Sequence, residues 1–99
     1  MAKGHYGETC NEATREAIKL LGSRASGQSL FDKVREMGYW TDDNIWQEQI
    51  SRTINLPASY GHYPDVLPEK RYLFLCEDGD YELYQPARHR RYEQGRRVV

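Results

Sequence analysis

Apolar residues return every three or four positions along the first 56 residues, and this spacing predicts three helices. The first starts at Thr9 or Asn11, either of which can cap it, with Glu12 in a first turn where the helix dipole favours an acid. Ala13, Ala17, Ile18, Leu20 and Leu21 form its apolar side, and Gly22 ends it. Ser23 to Ser29 (SRASGQS) is dense in turn formers and is expected to be a connector. The second helix runs from about Ser29 to Met37, with Leu30, Phe31, Val34 and Met37 facing inward and Gly38 suited to a left-handed C-terminal position. Tyr39 and Trp40 make a short link into the third helix, Thr41 to Leu56 (TDDNIWQEQISRTINL). Thr41 is its N-cap, with Asp42 and Asp43 in the first turn. Trp46, Ile50, Thr53 and Ile54 share its buried stripe, and Gln47, Glu48, Ser51, Arg52 and Asn55 project from the opposite face.

Periodicity then changes. Residues 57 to 70 (PASYGHYPDVLPEK) hold three Pro and a Gly and read as an ordered loop packed by Tyr60, Tyr63, Val66 and Leu67. RYLFLCEDGDYELYQP follows, two β-prone runs around Asp78-Gly79, the dipeptide preferred for a two-residue type I′ hairpin turn. That turn sets Cys76 against Tyr81 and Phe74 against Leu83 on an apolar face, with Leu73, Leu75, Glu82 and Tyr84 on the other. Pro86 ends the second strand, and ARHRRYEQGRRVV has no apolar periodicity. The expected organisation is therefore a disordered N-terminus over 1–8, one domain over 9–86 and a basic, flexible tail over 87–99.

Helix, helix, turn, helix, loop, hairpin is the order of a winged helix, an α+β fold in which a three-helix helix-turn-helix core carries a C-terminal two-stranded β-hairpin wing. From about Asn11 to Tyr84 the chain resembles the compact winged helices of restriction systems and chromatin factors, the HARE-HTH type. The likeness lies in NEATREAIKLLG as first helix, SLFDKVREMGYW entering the turn, NIWQEQISRTI as third helix and RYLFLCEDGDYELY as wing, with Gly79, Tyr81 and Leu83 as its closing G-x-Y-x-L. Two departures stand out: the loop from Pro57 to Lys70 is long, and the wing tip (Glu77, Asp78, Asp80, Glu82) is acidic.

Charge sharpens the functional expectation. The net charge of −1 argues against a general polyanion binder. Its distribution is uneven: residues 1–85 hold nine Lys/Arg against fourteen Asp/Glu, whereas residues 86–99 hold five Arg and one Glu. The polar face of the third helix carries side chains that can bond base edges and phosphates. Double-stranded DNA is thus the expected partner, with Gln47, Ser51, Arg52 and Asn55 at the major groove and Arg88, Arg90, Arg91, Arg96 and Arg97 on phosphates or the minor groove. The implied role is a small transcriptional regulator or restriction-system accessory. Arg52 could equally pair with Glu48, and Asp42 and Asp43 would repel phosphate. The alternative is a protein–protein interaction or homodimerisation module anchored by Tyr39, Trp40, Trp46, Tyr60 and Tyr63.

Other classes find little support. His5, His62 and His89 lie in separate segments, only His62 has a nearby carboxylate, Asp65, and no phosphate-loop or HExxH string is present, so an enzyme is not expected. Cys10 and Cys76 have no metal-ligand spacing, and no cofactor is implied. There is no apolar run of membrane-spanning length and no signal-peptide core, which makes a cytoplasmic protein the default expectation.

Overall fold

The structure is a computed structural model; it describes residues 4, 5, 7–56, 70–89, 91–93 and 96–98, the last two stretches by their backbone alone. Three helices form first. α1 (Cys10–Leu20) opens on a capping box: the Glu12 amide donates to Thr9 Oγ1 at 3.2 Å and the Thr9 amide donates to Glu12 Oε1 at 3.1 Å. Its buried side consists of Ala13, Thr14, Ala17 and Ile18, while Leu20, expected to face inward, is 59% exposed. α2 (Gly27–Glu36) is capped by Ser26 and buries Leu30, Phe31 and Val34. α3 (Asp42–Ser51) is capped by Thr41, whose Oγ1 accepts from the Asn44 amide. Each helix packs on the other two.

α3 departs from its expected span and stripe. It ends at Ser51 rather than continuing to Leu56, and Arg52 is its C-cap. Beyond it the backbone bonds to a strand instead of to itself: the Ile54 amide donates to the Leu73 carbonyl at 2.8 Å, and the Leu73 amide donates to the Arg52 carbonyl at 2.9 Å. Asn55 prolongs the pairing with its side chain, accepting from the Leu75 amide and donating to the Leu75 carbonyl. A strand edge left without partners would be costly, and residues 52–55 supply those partners by giving up further helix. The helix stripe also turns by one position, so that Ile45 and Gln49 are fully buried while Trp46 and Ile50 are half-buried. Trp46 stacks on Phe31 with centroids 4.4 Å apart.

The connector SRASGQS contains a strand that its turn-forming composition concealed. β1 (Arg24–Ser26) pairs antiparallel with β3 (Asp80–Leu83), which in turn pairs with β2 (Leu73–Leu75), so the sheet has three strands in the order β1-β3-β2 rather than two. The hairpin register is Leu73↔Leu83, Phe74↔Glu82 and Leu75↔Tyr81, one residue away from the register a two-residue turn imposes. Glu77, Asp78 and Gly79 form a three-residue loop, closed by Cys76 N–H to the Asp80 carbonyl and Gly79 N–H to the Cys76 carbonyl. A type I′ turn needs positive φ at both central residues; Gly79 has φ +93° but Asp78 is not left-handed. The one-residue slip turns β2 over relative to β3: Tyr81 and Leu83 still pack toward the core, but Leu73, not Phe74, joins them there.

Leu73 there joins Ala13, Ala17, Ile18, Leu30, Phe31, Val34, Trp40 and Ile45. Gly38, expected to take a left-handed conformation, does not; the α2 C-cap is Met37 with φ −87° and ψ −8°. Gly38 is instead required by close approach, because a Cβ there would lie 2.4 Å from Trp40 Cζ3. The N-terminal stretch pairs at the same place, through a Gly4–Gly38 bridge and the His5 amide to the Met37 carbonyl. After β3 come a short helix α4 (Pro86–His89) and a hairpin of β4 (Arg91–Glu93) and β5 (Arg96–Val98), within the stretch expected to be a flexible tail. The loop residues Tyr60, Tyr63, Val66 and Leu67 lie outside the described residues.

Substitution of valine for Gly79 is expected to destabilise the protein by about 1–3 kcal/mol, because a β-branched residue resists the left-handed region. Thermal melting checks this, and an unshifted midpoint would rule out the positive-φ turn.

Candidate functional site

The side chains expected to read DNA start from different places than a free helix face would give them. Gln47 is half-buried. Ser51 is 4% exposed, and its hydroxyl donates to the Glu48 carbonyl at 3.1 Å. Asn55 lies beyond the helix with both ends of its amide on Leu75. Arg52 is half-buried, with Nε donating to Glu48 Oε1 at 2.7 Å. In the C-terminal stretch, Arg88 Nη2 donates to Glu82 Oε1 at 3.1 Å. Arg90 lies outside the described residues, as do the side chains of Arg91, Arg96 and Arg97, whose backbones form β4 and β5.

Arg52 does more than end a helix. It lines a cavity of about 180 Å³ together with Asn11 and Arg15 of α1, Lys70 and Tyr72. Asn11 and Arg15 are four residues apart and share one face of α1; Lys70 and Tyr72 belong to the segment entering β2. The Tyr72 hydroxyl donates to the Asn11 carbonyl at 3.0 Å, and the Arg15 guanidinium lies over the Tyr72 ring, 5.6 Å from its centroid. Among the described residues, neither Arg15 nor Lys70 has a carboxylate within ion-pair distance. Glu48 is the acid nearby: burial first, and then its charge, push the Tyr72 phenol up. Arg71, next to Lys70 in the chain, is 6% exposed with Nη1 donating to the Thr53 carbonyl, and its guanidinium is pulled below its ordinary value by burial and then by the charge of Arg52. Among the described residues, the cavity lining therefore holds three cationic side chains, of which Arg52 is paired with Glu48.

The acidic hairpin tip has internal partners. Arg24 of β1 bonds three acids at once: Nη2 to Asp78 at 2.6 Å, Nε to Asp80 at 3.1 Å and Nη1 to Glu82 at 2.5 Å. Glu82 is 3% exposed and also accepts from Arg88 and from His89 Nε2. The Gln85 amide donates to His89 Nδ1, so a neutral ring with its proton on Nε2 satisfies both bonds. The ring stacks on Phe74 at 4.3 Å. Asp42 at the start of α3 has Arg35 at 3.8 Å.

Sequence pattern gave no hint of the Asn11–Arg15–Lys70–Tyr72 grouping, since Arg15 reads as a solvated helix face and Lys70 as the end of a loop. Burial raises the thiol of Cys10 to about 11, and burial followed by the Glu82 charge raises that of Cys76. Neither is tuned as a nucleophile. His62 and Asp65 lie outside the described residues. Among the described residues no group of His, Cys, Asp and Glu could hold a metal ion, and no helix is long and apolar enough to cross a membrane. Comparison with protein-family models, with curated proteins and with solved structures returned no match.

Proposed function

We propose that the protein binds double-stranded DNA as a small winged helix-turn-helix, in the role of a transcriptional regulator or restriction-system accessory. The observation that carries this reading is the convergence of Arg15, Arg52 and Lys70 on one surface beside the C-terminal end of α3. Support also comes from the acids. Asp78, Asp80 and Glu82 are ion-paired with Arg24, so the hairpin tip repels phosphate less than its composition suggests. Arg52 is half-buried and tied to Glu48, a setting that suits a phosphate contact better than a probing base reader.

Anisotropy of a labelled duplex, titrated across a range of salt, tests the proposal. Binding should weaken steeply as salt rises. Arg52→Ala should weaken it similarly for unrelated sequences and reduce the salt slope by about 1. Removing residues 90–99 should flatten the slope further while leaving Arg88 and His89 on Glu82. Absent or salt-independent binding would favour the protein-partner reading. That alternative keeps fewer anchors than its aromatic content implies, since Trp40 is 8% exposed and Trp46 packs on Phe31, whereas Tyr39 is 74% exposed.

A further inference from the structure

Asp78-Gly79 turns the hairpin, and the same two residues are able to react with each other. A peptide nitrogen that follows an aspartate can attack its Cγ and close a five-membered imide. A side chain on the following residue obstructs that attack, and glycine has none. A Cβ added at Gly79 would meet nothing within 4 Å, so the loop itself does not crowd the approach. The Asp78 side chain is 57% exposed, within reach of the solvent that would later open the ring.

The fold opposes the reaction at three atoms. Asp78 Oδ1 accepts from the Asp80 amide at 3.0 Å and Oδ2 accepts from Arg24 Nη2 at 2.6 Å, so both carboxyl oxygens are held. The Gly79 nitrogen must lose its proton to attack, and that N–H donates to the Cys76 carbonyl at 3.0 Å. Protonation of the carboxyl creates the leaving group, and the protonated form is scarce here. The Asp80 hydrogen bond first, and then the Arg24 charge, hold the Asp78 carboxyl below its ordinary value against some desolvation. Of these restraints only Arg24 comes from outside the hairpin. It lies in β1, 54 residues before Asp78, and is itself anchored on Asp80 and Glu82.

We propose that Asp78-Gly79 is a site of spontaneous isoaspartate formation and that Arg24 guards it. The Gly79 nitrogen bonds to Asp78 Cγ, while its proton and the carboxyl hydroxyl leave as water. Water then opens the imide at either carbonyl. Opening at the Asp78 backbone carbonyl routes the main chain through Cβ and Cγ, so the loop gains one backbone carbon at unchanged mass. The carboxylate that remains sits directly on Cα, too short for the present bond, and Arg24 is left with Asp80 and Glu82.

The test is prolonged incubation of the folded full chain at body temperature and neutral pH. Tryptic digestion then releases the peptide Tyr72–Arg88, in which the isomer is a new chromatographic peak of equal mass. A protease that cuts before aspartate cleaves the original peptide at Asp78 and leaves the isomer intact there. The free peptide should isomerise about tenfold faster than the folded chain, and Arg24→Gln should speed the folded chain about fivefold, the effect of losing one charge-assisted hydrogen bond. Mild acid should speed the folded wild type, because the carboxyl protonates. Thr9→Ala weakens the α1 cap and leaves the hairpin alone, so it should keep the wild-type rate. Melting curves check that each variant is folded during incubation. Arg24→Lys, which keeps the cation and loses the fork, should fall between wild type and Arg24→Gln and serves if the latter does not fold. A folded chain that isomerises as fast as its free peptide, or Arg24 variants no faster than Thr9→Ala, would overturn the guard. Absence of the isomer from the free peptide and the chain alike would overturn the site.

Discussion

Leu73→Ala is expected to lower stability by about 2–5 kcal/mol, the range for deleting most of a fully buried leucine side chain. Leu73 has no exposure and packs among the three helices. Its backbone also links Arg52 and Ile54 to the sheet, so any shift around the cavity left behind loosens the junction of helices and hairpin. For a domain of this size each kcal/mol moves the melting midpoint by about 4–8 °C. The neighbouring residue sharpens the test. Phe74 lies on the other face, half-buried against His89 and Tyr84, so Phe74→Ala should cost less despite removing the larger side chain. Urea denaturation of both variants compares them directly. A greater loss for Phe74→Ala would mean that the hairpin follows the two-residue-turn register after all.

Glu82→Ala should destabilise by about 2–4 kcal/mol, because one buried carboxylate accepts from Arg24, Arg88 and His89 together. Arg24 would keep Asp78 and Asp80, and Arg88 is mostly exposed, so the largest local loss falls on His89, whose side chain is 7% exposed. The same contact makes stability sensitive to acid. The hydrogen bond from His89, followed by that from Arg24, holds the Glu82 carboxyl below its ordinary value of 4.5, with burial opposing them. A carboxyl depressed in the folded state contributes stability that is fully present above the unfolded value and is lost as pH falls through the folded one. Wild type should therefore lose stability below about pH 4.5, and Glu82→Gln should lose less of it over the same range. The carboxyls of Asp78 and Glu12, also lowered, contribute equally to both proteins. Urea midpoints measured from neutral pH to pH 3 decide the point, and parallel declines in the two proteins would refute a special role for Glu82.

What could be read from the sequence alone was what neighbouring residues settle between themselves. Thr9 and Glu12 begin α1, Thr41 begins α3, and Leu30, Phe31 and Val34 mark the inner face of α2, because caps and helical stripes depend on residues three or four positions apart. Asp78-Gly79 placed a hairpin for the same reason, and Gly79 does take the left-handed conformation. Everything that depended on a distant partner came from the tertiary structure. Arg24–Ser26 is a strand because β3, at Asp80–Leu83, offers it an edge far along the chain, although its own composition favours a turn. The hairpin register hung on one added loop residue, a difference that exchanges Leu73 for Phe74 in the core and that a dipeptide preference cannot resolve. α3 stops at Ser51 because β2 competes for the backbone groups of residues 52–55. The cationic cavity needed all of this, since Arg15, Arg52 and Lys70 are strangers in sequence and become neighbours only when α1, the end of α3 and the entry to β2 are packed together. Local chemistry determined the elements; competition among distant segments for hydrogen bonds and burial decided where they end, how they pair and which charges meet.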